Sequence, residues 1–503
     1  MGGVDSAAPQ RLVILGGGIT GLAAAFYALR ESKNLEVTIL EATDRFGGQI
    51  RTIRRDGYIL DAGPDGFLAR KTAAVHLCRD LGIAHRLVSR PPEGRTAYIR
   101  RESRLQELPR AMRFFVPLDA EELTCLNLLS TDGVDRLFRE PEIPRRAPGA
   151  GESNRDESIA AFFTRRFGEE MYRYLAEPLA AGVFAGDGEQ LSIEATFPEL
   201  PEMERRYGAV LPMLQEQHRV VTRSSASLPS AGTTKEDIFR SFPDGLETLV
   251  SALVKHLEEH DRCRLLRSTV VRSLRGGAGA RTWRVLTEGD ETLLYDAVIC
   301  ALPGPIAAGI LEDVSPDVAF GLGRTGYSRS TAVFLGYPRA TPGTETTGSK
   351  RISGSGYLVP RAEGSSVLAC TWSSRKWPGR APGNRELFRV FIDAGQDRTD
   401  RTDTDRNTPE EIARRELRET LGITASPELV ETVSWNAAVA QYTLGHLQRR
   451  DTIRDRLGHL PGIAVAGSAI DGAGIPDCIV SGRRAVHNLL DGKGNNVYLQ
   501  EAR

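Results

Sequence analysis

RLVILGGGITGLAAAFYALRESKNLEVTILE, residues 11–41, decides the fold. RLVILG (11–16) is a short apolar run ending in glycines, LAAAFYAL (22–29) is rich in strong helix formers, and LEVTIL (35–40) is again strand-like. The order is strand, tight turn, helix, strand: one βαβ unit with the right-handed crossover of a parallel sheet. Gly16, Gly18 and Gly21 make G-x-G-x-x-G at the strand-to-helix junction, and Glu41 ends the second strand about 20 residues on. The first glycine permits the turn, the second lets the backbone approach a pyrophosphate, and the third lets helix and strand pack closely. The helix N-terminus offers free N–H groups and a positive dipole end to phosphates, and Glu41 can accept hydrogen bonds from ribose hydroxyls. In this setting the pattern predicts a dinucleotide site at Gly16, Gly17, Gly18, Ile19, Thr20, Gly21, Glu41 and Ala42.

The stretch just beyond Glu41 separates a nicotinamide from a flavin cofactor. EATDRFGGQIRT places Arg45, Gly47 and Gly48 after the ribose acid, where a cation and a close-approach glycine pair suit a second pass around a longer cofactor. At the other end of the chain, IAVA (463–466) reads as a strand, and AGSAIDGAGIPD (466–477) puts Gly467 and Gly472 ahead of a helix starting near Pro476. A second helix dipole there could face a flavin pyrimidine and stabilise a reduced ring, so FAD is the expected cofactor.

Composition bounds the remaining possibilities. At 503 residues the chain holds about three domains' worth of sequence, and 40% hydrophobic against 26% charged residues excludes wholesale disorder. The formal net charge of -1 is too balanced for a protein that lives on nucleic acid phosphates. Glycine, 51 of 503, stands above the ~7% average and points to glycine-dependent loops. Six scattered cysteines include no CxxC and no cluster at metal-ligand spacing, which reads as a reducing compartment, a cytoplasmic location and no structural metal. Apolar runs fall short of the ~18 residues a spanning helix needs, and MGGVDSAAPQ at the start lacks signal-peptide regions.

Polar, turn-rich stretches at Pro141–Asp156, Thr222–Glu236 and Asp393–Pro409 read as linkers or surface loops. Asp119–Phe138, Ser158–Phe167 and Glu170–Ala181 suggest a mostly helical subdomain. TAVFLGY, GYLV, SVLACTW and FRVFI, between Thr331 and Ile392, suggest a separate sheet, followed by an amphipathic helix over Glu410–Leu421.

GGGITGL, EATDRFGG and LDAGPDGF (60–67) together resemble the flavin-containing amine oxidase superfamily. EPLAAGVFAGDGEQLSIEATFPEL (177–200), SFPDGLETL (241–249), GYLVP (356–360), SSRKWPGRAP (373–382), QYTLGHL (441–447) and AGSAIDGAGIPDCI (466–479) are similar to the oxygen-dependent protoporphyrinogen oxidases of haem synthesis. The resemblance spans almost the whole chain. It implies an α/β (α+β) protein in three parts. The first is a Rossmann-like FAD domain of p-hydroxybenzoate hydroxylase type, over 1–88, 237–305 and 440–503. The second is an antiparallel-sheet substrate domain, over 89–110, 205–236 and 306–439. The third is a helical, membrane-associating domain, over 111–204. The implied reaction is a six-electron oxidation of protoporphyrinogen IX to protoporphyrin IX, by hydride transfer to flavin N5, with O2 reoxidising FAD to give H2O2. No catalytic triad or metal is implied. A peripheral membrane surface on the inner face of the cell membrane, and a second copy of the chain, stay open as partners.

Carried over by position, Arg95 matches an arginine that pairs with a substrate propionate, a fork suited to a carboxylate. Gly182 matches a glycine whose carbonyl faces the pyrrole N–H groups, and Leu358 and Phe391 match apolar positions at the tetrapyrrole. Val271 matches a backbone contact to adenine. Gly63, Pro64, Asp65, Trp435 and Ile479 lie in segments that line the flavin. The chain departs from the family at Asp65, where asparagine is common, at Thr371, where leucine often meets the tetrapyrrole, and at Ala440, often proline. The nearest alternative is coproporphyrinogen III, with four propionates instead of two; extra cations around Arg95, such as Arg70, Arg100 and Arg101, would favour it. More remote alternatives are an amine oxidase or desaturase, and a non-catalytic relative such as a Rab GDP-dissociation inhibitor.

Overall fold

A parallel sheet of five strands forms one half of the molecule. The computed structural model describes residues 10–146, 156–226, 237–276, 282–339, 346–347, 350–351, 353–393 and 407–490. Most of the three expected linkers, and the N-terminal nonapeptide, therefore lie outside the described residues. The sheet order is Cys263–Leu266, Leu35–Leu40, Gln10–Leu15, Ala297–Cys300, Ile463–Val465, every neighbour parallel. Such a sheet needs cover on both faces. On one face lie the glycine helix Ile19–Glu31, the helix Glu247–Glu258 and the C-terminal helix Ile475–Leu490, with Leu22, Phe26, Leu253 and Ile479 in a shared core. The other face carries a three-stranded antiparallel layer, Val271–Arg275, Trp283–Thr287 and Thr292–Tyr295, and the helices Gly304–Leu311 and Pro316–Gly323.

The second sheet has seven strands, ordered Leu429–Trp435, Ser330–Pro338, Arg385–Asp393, Val367–Trp372, Gly356–Leu358, Ala97–Arg101, Arg104–Glu107. It corrects the expectation of an antiparallel sheet at one seam, because Gly356–Leu358 runs parallel to Ala97–Arg101. Those two strands come from distant parts of the chain, so no hairpin fixes their direction. One face of this sheet packs Val333, Leu335, Tyr357, Trp372 and Val390 against the helix Pro409–Leu421, which starts at a Thr408/Glu411 capping box. The opposite face carries Ala332, Phe334 and Val433 and meets Tyr58, Leu60 and Ala62, the strand that leads out of the parallel-sheet half.

Helices Ala120–Leu126, Thr131–Phe138, Ile159–Phe167, Glu177–Phe184 and Glu199–Tyr207 build a third body around Phe162, Phe163, Met171 and Leu175. Two expected helices are interrupted: Asn127 turns left-handed (φ 52°) within 119–138, and Tyr172–Ala176 winds as a π-turn ahead of Pro178. The helix Leu211–Ala226, grouped by sequence with the substrate segment, buries Leu211 and Leu214 in this helical body. Among the described residues no helix is long and apolar enough to cross a membrane.

Candidate flavin and substrate site

The phosphate end is built from the glycine turn. Gly16 has φ +102°, which a side chain would strain, and a Cβ there would come within 2.7 Å of the Ala301 carbonyl oxygen. A Cβ on Gly21 would stand 2.0 Å from the Gly16 carbonyl oxygen, which is why helix and strand can close so tightly. Gly18 differs: a Cβ there would meet nothing within 4 Å, so the backbone faces open space at the helix N-cap. The N-cap glycine has no side chain to close that end, and the first-turn N–H groups around Ile19 and Thr20 have no intrahelical acceptor. A pyrophosphate fits this cradle. Glu41 is oriented toward it by the Gly17 N–H (2.8 Å) and by the N–H and hydroxyl of Thr43 (2.9 and 2.8 Å), with Ala42 between them. The segment leading to Val271 is tied to the same acid, through Glu41 N–H to Leu266 O (2.8 Å) and Thr269 N–H to Glu41 O (2.9 Å).

The loop after Glu41 carries the cradle inward. The Gly47 N–H donates to the Gly17 carbonyl at 2.8 Å, and Gly47 bridges Gly18. Gly48 lies close as well, its Cβ position 3.3 Å from the Gly18 Cα. The Arg45 guanidinium donates to the carbonyls of Phe46 (3.0 Å), Ile50 (3.2 Å) and Gly48, and so holds the loop from within. Farther along, a Cβ on Gly63 would stand 1.8 Å from the Gln49 carbonyl oxygen, which locks the 62–65 segment, Pro64 included, against this loop. The C-terminal end closes on the same helix. A Cβ on Gly467 would approach Thr20 Oγ1 to 3.2 Å, and one on Gly482 the Thr20 carbonyl oxygen to 2.5 Å. Gly472, at φ +129°, turns the chain into the C-terminal helix, whose Ile479 is wholly buried in the core.

Three of the five substrate residues expected from the resemblance, Leu358, Thr371 and Phe391, share one sheet face. Strand pairing sets Leu358 opposite Ala369 and Ala369 opposite Phe391, while Gly356, Thr371 and Arg389 form the next row. Partners directly across a ladder point to the same side, and so do residues two apart along a strand. Leu358, Thr371 and Phe391 therefore line one surface, and it is the surface that packs toward Ala62. Gly182 faces it from the helical body: a Cβ there would stand 2.9 Å from Leu358 Cδ2. Arg95 follows the short turn Pro92–Gly94, where a Cβ on Gly94 would meet the Arg375 carbonyl oxygen at 2.6 Å, and Thr96 receives the Ser355 N–H at 2.7 Å. Trp435 donates its indole N–H to the Ala62 carbonyl at 2.8 Å, joining the sheet to the segment expected to line the flavin.

Sequence reasoning did not single out the cations that meet this segment. Lys376 Nζ bonds both oxygens of Asp65, at 3.0 and 2.8 Å. Burial alone would raise the Asp65 carboxyl, but Lys376 and then Arg389 carry it down to about 2. Arg389 is buried, donates to the Ala62 carbonyl at 3.3 Å, lies 4.3 Å from the Phe391 ring centre, and leaves its Nε without a hydrogen-bond partner. Burial lowers the Arg389 pKa, opposed by Asp65 and Asp61. Beside them Arg380 and Asp61 form a buried pair at 2.6 Å. Lys376 and Arg380 sit in the quoted SSRKWPGRAP, but Lys376 lies 311 positions from Asp65, and only the folded chain brings them together. Among the described residues no group of three or more His, Cys, Asp or Glu is placed to hold a metal ion.

A glycine-cradled phosphate site continuing under a sheet face, with both chain ends closing on one helix, defines a flavin-dependent oxidoreductase. The flavin containing amine oxidoreductase family matches residues 19–490, and the chain belongs to it, with FAD as its cofactor. The chain is 32% identical over 487 residues to the coproporphyrinogen III oxidase of Bacillus subtilis (strain 168), covering 96% of this chain and 98% of that one. It is 27% identical over 488 residues to the chloroplastic protoporphyrinogen oxidase 1 of Spinacia oleracea, covering 95% and 84%. A crystal structure assigned as a protoporphyrinogen oxidase of Exiguobacterium sp. 255-15 superposes with a TM-score of 0.77 at 27% identity, over 98% of this chain and all of that one.

Proposed function

We propose that this chain is an FAD-dependent porphyrinogen oxidase that converts a colourless porphyrinogen to its porphyrin in six electrons, with O2 as the acceptor and H2O2 as the by-product. The observation that carries the reading is the face shared by Leu358, Thr371 and Phe391, turned toward the Ala62–Asp65 segment and met by Gly182. Bound FAD supplies the two-electron acceptor chemistry. The chain's own residues bind and orient. Leu358 and Phe391 offer apolar surface to a flat macrocycle and exclude water from it. Gly182 lies in the last turn of the helix Glu177–Phe184, where carbonyls have no intrahelical donor and are free to accept from pyrrole N–H groups. Arg95 takes a propionate at the rim. The parallel-sheet half, the seven-stranded sheet and the helical body correspond in this reading to a p-hydroxybenzoate-hydroxylase-type FAD domain, a substrate domain and a domain that rests on a membrane surface.

Protoporphyrinogen IX is the substrate the sequence reading puts first. Coproporphyrinogen III has a specific observation in its favour, the relative named for it at 32% identity. The neighbouring cations do not decide for the tetra-acid: Arg100 is held by Glu416 in a buried pair at 2.6 Å, and Arg101 donates to the Leu128 carbonyl and stacks 3.6 Å over the Tyr174 ring. Arg70 is exposed. The test is aerobic turnover of the two porphyrinogens side by side by the yellow, FAD-loaded protein, followed by porphyrin fluorescence and H2O2. The larger kcat/KM names the substrate, and no turnover of either sinks the reading.

A further inference from the structure

The 62–66 loop holds an anion that no substrate contact requires, and the fold brings a lysine to it from the far side of the sequence. We infer that Lys376 is a positioning residue for the redox step: paired with Asp65 at 2.8 and 3.0 Å, it cancels a carboxylate charge at the flavin and thereby keeps the cofactor's midpoint potential raised. The inference rests on the FAD reading above. That reading puts Asp65 in the cofactor's surroundings, and its loop is clamped at both sides. Gly63 abuts the Gln49 carbonyl of the glycine-pair loop, and the Ala62 carbonyl takes both Trp435 Nε1 and Arg389 Nη2.

The loop cannot swing the carboxylate away. The Asp65 carbonyl receives the Ser241 hydroxyl at 2.7 Å, and a Cβ on Gly66 would strike the fully buried Trp377 ring at 2.7 Å. Lys376 is equally fixed, standing in the short turn Ser373–Lys376 next to that same Trp377, with its ammonium 5.8 Å from the ring centre. Both partners are about one-fifth exposed, where a unit charge acts more strongly than in open water. Taking up electrons adds negative charge at the cofactor, so an uncompensated Asp65 would oppose it, and a compensated one would not. Arg389, buried with its Nε unpartnered, is a second cation at this spot and also favours the ionised form of Asp65.

The experiment is the midpoint potential of the bound flavin, measured by equilibration with a reference dye on the full-length, FAD-loaded protein. Lys376→Met shifts the potential downward, Asp65→Asn shifts it upward, and the double variant returns to the wild-type value, because the net charge at the pair is restored. Single variants that hold flavin and keep the wild-type potential overturn the inference and leave the FAD reading intact. Wild-type protein that takes up no flavin overturns the reading itself. Should Lys376→Met shed its cofactor, the other two variants decide: an upward shift in Asp65→Asn reversed in the double variant supports the pairing, and an unmoved Asp65→Asn refutes it.

Discussion

Gly182→Ala isolates the substrate face from the cofactor cradle. The new Cβ would stand 2.9 Å from Leu358 Cδ2, at least half an ångström inside ordinary methyl contact. Gly182 lies within the helix Glu177–Phe184, so the backbone accepts alanine and the strain falls on the contact. The atom struck is the free end of a half-buried side chain, so Leu358 turns across the face it shares with Phe391, and holding it off its rotamer costs about 0.5–1.5 kcal/mol. Charged to substrate binding, that is roughly a 2- to 13-fold rise in KM for the porphyrinogen. Steady-state porphyrin fluorescence reads it, with flavin absorbance confirming that the cofactor content is unchanged. Adding Leu358→Ala removes the methyl that is struck, so the double variant loses less than the two singles combined. A fully flavinated Gly182→Ala protein with the wild-type KM would refute the placement of this helix at the pocket.

Gly18→Val puts a side chain into the open space at the helix N-cap; far-UV circular dichroism stays native while FAD binding is lost, and a yellow variant would contradict the cradle. Arg380→Leu strands Asp61, whose carboxyl burial pushes up and Arg380 chiefly opposes, so stability falls by about 3–5 kcal/mol. A urea titration showing a loss under about 1 kcal/mol would sink that estimate. His446, stacked 4.2 Å from Tyr442, has its imidazole held down at about 4 by burial and then by Arg449 and Arg450. Because the unfolded chain takes up that proton near pH 6.5 and the fold refuses it, stability falls as pH drops from about 6.5 to about 4, by about 3 kcal/mol in all. His446→Gln flattens this part of the pH profile, and an unaltered profile would show that the group does not matter.

The cofactor half was legible because its signals are local. The glycine turn, Glu41 and both flanking strands lie within 31 contiguous residues, and the parallel pairing of Gln10–Leu15 with Leu35–Leu40 follows from them. The substrate face was legible only as positions in a resemblance. Leu358, Thr371 and Phe391 come from three strands, and no periodicity in the chain says that these strands share a register. At Arg45 the place beside the glycine pair was visible, and the fold adds what no local pattern states, that the guanidinium bonds the carbonyls of Phe46 and Ile50 in its own loop. Lys376 was invisible for the opposite reason. A lysine in a polar turn reads as solvated until the fold sets Asp65 against it.

Beside the apolar contact of Tyr58, Leu60 and Ala62 with the seven-stranded sheet, the same segment is held by bonds that are polar and buried. Asp61 receives the Thr52 hydroxyl at 2.7 Å, the Leu246 N–H at 2.9 Å and the Arg380 guanidinium at 2.6 Å, and Arg380 also reaches the carbonyls of Phe242 and Pro243, each at 2.8 Å. Breaking any of these bonds leaves a buried group unpaired, so displacement of this segment is opposed in steps of about 1–3 kcal/mol. The segment held in this way, Tyr58–Asp61 and its continuation through Asp65, is also the one that meets the substrate face through Ala62. On the proposed function, residues that touch neither cofactor nor porphyrinogen therefore fix the distance between them. This is why substitutions along the Asp61–Arg380 network should disturb turnover and stability together, while Gly182→Ala should act chiefly on the KM for the porphyrinogen.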